Sequence, residues 1–174
     1  MKVELGGGSF ARGDGWINVD QCDNADVKHD LNIAPWPFDD ESVDEIYSSH
    51  CIEHVDDPAV FLNECARIGK IGCKIEIRCP APTAHLAYVA GHKHVFSLQN
   101  ARNIDIHFPH LFWKGKRRPL LKAFHLNPSE MLDWAKRDLP FLKGLSDQQI
   151  MFWIPGTAHE NVFEYEVVEN GVVQ

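Results

Sequence analysis

No stretch of about eighteen consecutive apolar residues occurs in this chain, so no membrane-spanning helix is expected. The first residues lack the basic and apolar regions of a secretory leader, and a cytoplasmic protein is expected. Cysteine is scarce and odd in number. The five, at positions 22, 51, 65, 73 and 79, form no C-x-x-C pair, which argues against a disulfide framework or a zinc knuckle and for reduced thiols. Positive charge is in deficit, with 17 Lys and Arg against 25 Asp and Glu. The net charge of −8 disfavours non-specific binding to nucleic acid. Internal repeats and low-complexity linkers are absent as well. What remains is the composition of an ordinary globular protein, 44% hydrophobic and 24% charged, and its 174 residues suit a single domain over 1–174.

The chain begins with a short apolar strand, Lys2–Leu5, that runs into Gly6-Gly7-Gly8. Glycine allows positive φ and a close backbone approach, and a strand feeding a glycine turn is how open α/β sheets hold nucleotide-like ligands. Trp16–Asp20 reads as a second strand, and the interval before it is too short for the usual crossover helix. A truncated first crossover is therefore expected. Ala25–Leu31 and Val43–Ser48 read as strands three and four. A helix follows, with Asp57 at its N-cap, Pro58 at its first position, an apolar stripe of Phe61, Leu62, Cys65 and Ile68, and Gly69 as its stop. Gly72–Cys79 alternates as a fifth strand. Phe96–Ile104 reads as helical, and Asn127-Pro128-Ser129-Glu130 as a capped helix start with the helix running to about Arg137. Gln148–Ile154 and Val162–Val168 read as two antiparallel strands joined by a turn at Pro155-Gly156. The implied fold is α/β: a doubly wound, mainly parallel seven-stranded sheet, with helices between the early strands and over both faces.

Four carboxylates fall at or near strand ends: Glu4, Asp20, Asp30 and Asp44. A carboxylate ending the second strand can accept hydrogen bonds from both hydroxyls of a ribose and would repel a 2′-phosphate. Two cofactors fit. One is a dinucleotide, because Gly6-Gly7-Gly8-Ser9-Phe10-Ala11 satisfies the loose G-x-G-x-x-A pattern, which leaves an NAD-dependent oxidoreductase as one alternative. A pyrophosphate, however, wants a helix N-terminus beneath it, and there is little room for that helix. The other is S-adenosylmethionine, which carries no phosphate and whose sulfonium suits an acidic crevice.

Several segments together resemble a known family. Val3-Glu4-Leu5-Gly6-Gly7-Gly8, Gly15-Trp16-Ile17-Asn18-Val19-Asp20, His29-Asp30-Leu31 with Pro35-Trp36-Pro37-Phe38, and the run from Val43 through Ser49-His50-Cys51-Ile52-Glu53-His54 resemble, in order and spacing, the motifs of class I S-adenosylmethionine-dependent methyltransferases. The last segment is similar to that of a small subgroup with an SSHxxEH signature. The resemblance covers roughly residues 2–80. It implies a Rossmann-like sheet of seven strands with the last antiparallel. It implies cofactor contacts from Glu4, Gly6, Gly7, Gly8, Asp20, Asp30 and Leu31, with Ser49 and His50 beside the transferred methyl. It also implies a small-molecule or sugar acceptor and moves the expected substrate lid into 83–126. A non-catalytic binding protein that kept this fold is the second alternative. A missing pocket wall would come from elsewhere in the chain or from a partner subunit, which admits a homodimer.

Histidine is abundant, with ten residues. A histidine near the methyl can take a substrate proton at neutral pH, and His50, His54, His92 and His94 are the candidates. Otherwise these side chains serve structural hydrogen bonds, with Glu53-His54 fixing a helix terminus. His92-x-His94, with His85 nearby, is a ligand-like spacing, but no carboxylate partner stands at a recognisable distance in sequence, so no metal is expected. The cluster Lys114, Lys116, Arg117, Arg118 and Lys122 reads mainly as a solvated face, and the aromatics Phe108, Phe112, Trp113 and Phe124 as core or lid.

Overall fold

The computed structural model describes residues 1–104, 113, 115–129, 131–153 and 156–171. Strands β1 (Lys2–Leu5), β2 (Trp16–Asp20), β3 (Val27–Lys28) and β4 (Val43–Ser49) precede helix α1 (Pro58–Ile68) and strand β5 (Gly69–Pro80). Helix α2 (Leu98–Arg102), strand β6 (Arg117–Pro128), helices α3 (Met131–Asp138) and α4 (Asp147–Trp153), and strand β7 (Ala158–Glu169) complete the chain. One seven-stranded sheet has the order β3-β2-β1-β4-β5-β7-β6. The strands from β3 to β5 pair in parallel, and β7 runs antiparallel to both β5 and β6. The α/β class, the seven strands and the antiparallel last strand agree with the sequence, and the first crossover is cut to a single 3₁₀ turn, Gly8–Phe10.

The count of seven hides an exchange. Gln148–Ile154 does not form a strand: Gln148–Trp153 lie in α4, while Ile154 and Pro155, and with them the expected Pro155-Gly156 turn, lie outside the described residues. Ser146 caps α4, its hydroxyl accepting from the Gln149 N–H while the Gln149 side chain accepts from the Ser146 N–H. The seventh strand is β6, which the sequence left inside a lid. Residues 117–126 of the expected 83–126 segment therefore belong to the sheet. Pro119 is tolerated there because β6 is an edge strand, and a register shift between Leu121 and Ala123 breaks its alternation. The third strand is cut from the expected Ala25–Leu31 to Val27–Lys28.

Helices were also expected between the early strands, and none forms there. From β1 to β4 the only helical piece is the 3₁₀ turn, because the first two connections are short and the third carries Pro35 and Pro37. That third connection is held by side chains instead. The Trp36 indole donates to the Leu31 carbonyl at 3.1 Å and its ring meets Phe61 edge-on. Arg67 on α1 donates to the carbonyls of Trp36 and Phe38 and to Glu64, whose carboxylate accepts the Trp36 N–H.

One face of the sheet makes the core. Val3, Leu5, Val19, Ile46, Cys73, Ile75, Ile77, Phe163, Tyr165 and Val167 pack with Phe61, Leu62, Cys65 and Ile68 of α1. Asp57 caps α1 as expected, accepting from the N–H groups of Ala59 and Val60. Gly69 ends α1 in extended backbone, where a Cβ would lie 2.8 Å from Val167 and 2.9 Å from the Cys65 carbonyl. The opposite face presents Lys2, Glu45, Lys74 and Glu166 in one row and Tyr47, Glu76 and Glu164 in the next. Of these, Lys2, Lys74 and Glu164 are exposed and the other four half-buried. Two members of the basic cluster form ion pairs, Arg117 with Glu41 and Asp40, and Lys122 with Glu166. Trp113 is buried in the core and Phe124 packs on Phe163, whereas Lys114, Phe108, Phe112 and Glu130 lie outside the described residues.

Candidate active site

The parallel strands end together on one edge, and the glycine turn after β1 is the centre of that edge. Gly6 has φ +73° and donates to the Val19 carbonyl at 2.8 Å. A Cβ on it would stand 2.6 Å from Cys51 Sγ. The next two amides are satisfied by side chains of β2: Gly7 N–H donates to Asn18 Oδ1 at 3.2 Å and Gly8 N–H to Asp20 Oδ2 at 3.0 Å. Asn18 closes the loop by donating to the Gly8 carbonyl. Glu4 is buried, and its carboxylate accepts the Arg12 N–H at 2.6 Å, so it anchors the far end of the same loop.

Asp20 accepts from Gly8 on one oxygen and from Cys22 N–H on the other, at 2.9 Å. Burial pushes its pKa up, but the N–H groups of Cys22 and Gly8 prevail and hold it below the usual carboxylate range. Asp20 is therefore ionised, and each oxygen keeps a further acceptor site. Asp30 accepts twice from Asn32 on Oδ1, and Leu31 beside it is buried. Asp44 is not part of this edge. It opens β4 at the opposite end of the sheet and pairs with Lys70.

β4 ends with Ser48, whose hydroxyl donates to the Leu5 carbonyl, then Ser49 and His50. His50 has φ +52°, an uncommon conformation for a residue with a side chain. Its Nε2 lies 3.1 Å from Glu160 Oε1 and its Nδ1 3.4 Å from Glu53 Oε1. Glu160, on β7, also accepts from Asn127 at 2.6 Å and faces Arg78. The carboxylate of Glu160, hydrogen-bonded to Nε2, and then that of Glu53, facing Nδ1, raise the His50 pKa to about 9. His50 is thus an imidazolium at neutral pH. In that state it is a donor and a positive charge. The thiol of Cys51 is pushed by burial to about 12 and stays neutral.

Of the other candidate histidines, His54 and His92 meet edge-to-face with ring centres 4.6 Å apart, while His94 turns to the Asp56 carbonyl at 3.2 Å. Glu53 does not cap a helix: it sits in the turn after β4, and Asp57 caps α1. Sequence reasoning missed Glu160 and Asn127, which arrive from β7 and β6. No local spacing links them to His50. At the same edge a cavity of about 260 Å³ is lined by Ala81, Pro82, Leu98, Phe124, Met151 and Phe152 among others.

A family model described as a methyltransferase domain matches residues 17–77. No curated protein matches the chain. Solved structures do. A S-adenosylmethionine-dependent methyltransferase from Archaeoglobus fulgidus aligns with a TM-score of 0.65 at 15% identity, over 95% of this chain and 85% of that one. The fold is that of S-adenosylmethionine-dependent methyltransferases. A putative methyltransferase of Haloferax volcanii, solved in complex with the Trm112 methyltransferase activator, aligns with a TM-score of 0.57 at 17% identity, over 95% and 81% of the two chains. Geranyl diphosphate C-methyltransferase from Streptomyces coelicolor, solved with Mg2+, geranyl diphosphate and S-adenosyl-L-homocysteine, aligns with a TM-score of 0.60 at 13% identity, over 96% and 73%.

A pyrophosphate needs free loop amides, and those of Gly7 and Gly8 are already taken by Asn18 and Asp20. Above Gly8 a Cβ would meet nothing within 4 Å, so the loop faces open space there. Among the described residues no helix is long and apolar enough to cross a membrane.

Proposed function

We propose that this protein is a methyltransferase that uses S-adenosylmethionine and a small-molecule acceptor. The observation that carries the reading is the pair of side chains closing the glycine loop. Asn18 and Asp20 consume the amides a dinucleotide would need, while Asp20 stays ionised with acceptor sites left for a ribose diol. The methyltransferase-domain match over 17–77 includes both residues and supports the same cofactor. When bound, S-adenosylmethionine supplies a methyl group on a positively charged sulfur. The chain's own part is to bind and align. Asp20 takes the ribose, Asp30 and Leu31 flank the base, and the backbone of Gly6–Gly8 lets the ligand come close. Ser49 and His50 close the site from β4. Alignment alone can supply several kcal/mol of catalysis. His50, held as an imidazolium by Glu160, stabilises negative charge on an acceptor oxygen or fixes the end of β4. The 260 Å³ cavity, mostly apolar in its lining, suits the body of a small acceptor better than it suits a sugar.

Calorimetric titration with S-adenosylmethionine, S-adenosylhomocysteine and NAD tests the cofactor. The first two are expected to bind and NAD is not. Asp20→Ala should weaken S-adenosylmethionine binding by roughly 1–3 kcal/mol, the cost of leaving polar partners unpaired. Tight NAD binding, or an Asp20→Ala variant that binds as the parent does, overturns the reading. A non-catalytic binding role draws on His50, whose ring nitrogens both face carboxylates, Glu160 and Glu53. That role predicts weak or no cofactor binding, no measurable effect of Asp20→Ala, and no methyl transfer to any acceptor in a panel of small molecules.

A further inference from the structure

The histidines at 92 and 94 stood in the sequence without a carboxylate partner. The fold delivers one from a distant segment. Glu53, in the turn after β4, is only 1% exposed, yet neither of its carboxylate oxygens has a hydrogen-bond partner among the described residues. Burying a carboxylate without partners is costly, so such a group marks a place where a positive species belongs. The nearest cationic group, His50, is 3.4 Å away through Nδ1 and is committed to Glu160 through Nε2.

The segment carrying His92 is pinned to this turn. The N–H groups of Lys93 and His94 both donate to the Glu53 carbonyl, at 2.7 and 3.2 Å, and Lys93 Nζ pairs with Asp56 at 2.6 Å. His54 turns its Nδ1 to the Gly91 carbonyl at 3.2 Å. That contact fixes the proton on Nδ1 and leaves the lone pair on Nε2, the arrangement of a metal-ligating histidine oriented by a backbone carbonyl. The Nδ1 of His92 is buried and has no partner among the described residues. One ligand atom from each of Glu53, His54 and His92 lies within 4.8 Å of the other two.

We propose that Glu53, His54 and His92 bind a divalent transition-metal cation of the zinc type. Bonds of about 2.1 Å hold neighbouring ligand atoms no more than about 4.2 Å apart, so closing on the ion takes a small inward turn. The exposed His54 is free to make it. Two imidazoles and one carboxylate suit zinc, cobalt or nickel rather than magnesium, which prefers oxygen ligands. Three protein ligands leave a position open to water or to an oxygen of a small molecule, on the solvent side where His54 lies. The proposal rests on these three side chains and does not depend on the cofactor reading, although Glu53 adjoins His50 at 3.4 Å.

The test is calorimetric titration of chelator-treated protein with zinc chloride, with cobalt absorption as the spectroscopic readout and magnesium chloride as the contrast. One zinc per chain is expected at micromolar affinity or tighter, with cobalt d–d bands of a nitrogen and oxygen donor set and no magnesium binding. His54→Ala and His92→Ala should each weaken zinc at least about 100-fold, because each removes a direct ligand and losing even a group that only orients a ligand costs about 10–100-fold. His94→Ala, whose ring faces Asp56 instead, should bind as the parent does. His54 is exposed, so its variant decides the question even if His92→Ala does not fold. Zinc binding no tighter than millimolar, binding unchanged in His54→Ala, or binding lost in His94→Ala overturns the proposal.

Discussion

Gly6 and Gly8 both have positive φ, yet their surroundings differ in a way that separates stability from binding. At Gly6 an alanine would meet left-handed backbone strain and a methyl group 2.6 Å from Cys51 Sγ and 2.7 Å from its Cβ. The Cys51 Cβ contact cannot be relieved by a rotamer change, and the Cys51 carbonyl is held in the turn by the His54 N–H. Gly6→Ala should therefore lower the unfolding free energy by roughly 2–5 kcal/mol, the sum of a left-handed residue and an overpacked contact. Gly8→Ala meets only the backbone cost of about 1–2 kcal/mol, since nothing lies within 4 Å of the new methyl. That open space is where a nucleoside would approach. Urea unfolding should rank Gly6→Ala as much the less stable, while titration with S-adenosylmethionine should find binding impaired in Gly8→Ala although its fold is intact. Equal unfolding midpoints for the two variants would contradict the packing argument.

Among the elements, β6 depends on a side chain from outside the sheet. At the edge of the sheet its Leu126 is buried, and its N–H and C=O find no further strand. Gln148 on α4 completes both: its Oε1 accepts from Leu126 N–H at 3.0 Å and its Nε2 donates to the Leu126 carbonyl at 2.9 Å. One amide thus stands in for a neighbouring strand. Gln148→Ala should cost roughly 1–3 kcal/mol by leaving two buried backbone groups unpaired, read as a fall in melting temperature, whereas the adjacent Gln149→Ala loses only its share of an exposed cap. The same region shows why part of the chain could not be read in advance. Ile150-Met151-Phe152-Trp153 looks like a strand by its run of large apolar residues, but Ser146 and Gln149 form a capping box, and that local signal decides for helix. Strand β6 escaped notice because a register shift between Leu121 and Ala123 breaks its alternation and Pro119 interrupts the pattern. By contrast β1 and β2 were legible from their short apolar runs ending in glycine or a carboxylate, β4 from the polar turn before it, and α1 from Asp57, Pro58 and its apolar stripe. The cofactor side of the site was readable for the same reason, since Asp20 and the glycines sit where strands end. The partners of His50 and the carboxylate beside His92 were not. Glu160 lies 110 residues away from His50, and only the antiparallel return of β7 brings them together.

Across the whole molecule the sheet is built with two unlike faces. The core face is continuous aliphatic and aromatic packing; the other carries charges whose order along the sheet is regular. Lys2 pairs in register with Glu45, Glu45 with Lys74, and Lys74 with Glu166, so signs alternate across β1, β4, β5 and β7. A parallel sheet buried on both sides would show near-continuous apolar strands, whereas β5 and β7 alternate as half-wet strands do. Arg12 stacks over Tyr47 at 4.0 Å on this same face, extending the wet layer toward the glycine loop. The alternation makes Lys74 the position where charge order can be tested. Lys74→Glu places three carboxylates directly opposite one another on adjacent strands and should destabilise by about 0.5–2 kcal/mol, two cross-strand pairs of roughly 0.2–1 kcal/mol each turned repulsive. Lys74→Gln, which removes charge without adding repulsion, should lose less. Because the row is in contact with solvent, half-molar salt should recover much of the Lys74→Glu loss in melting temperature and leave Lys74→Gln nearly unchanged. A loss that ignores salt would mean that Lys74 packs against something rather than facing water, and that the polar face is covered in solution.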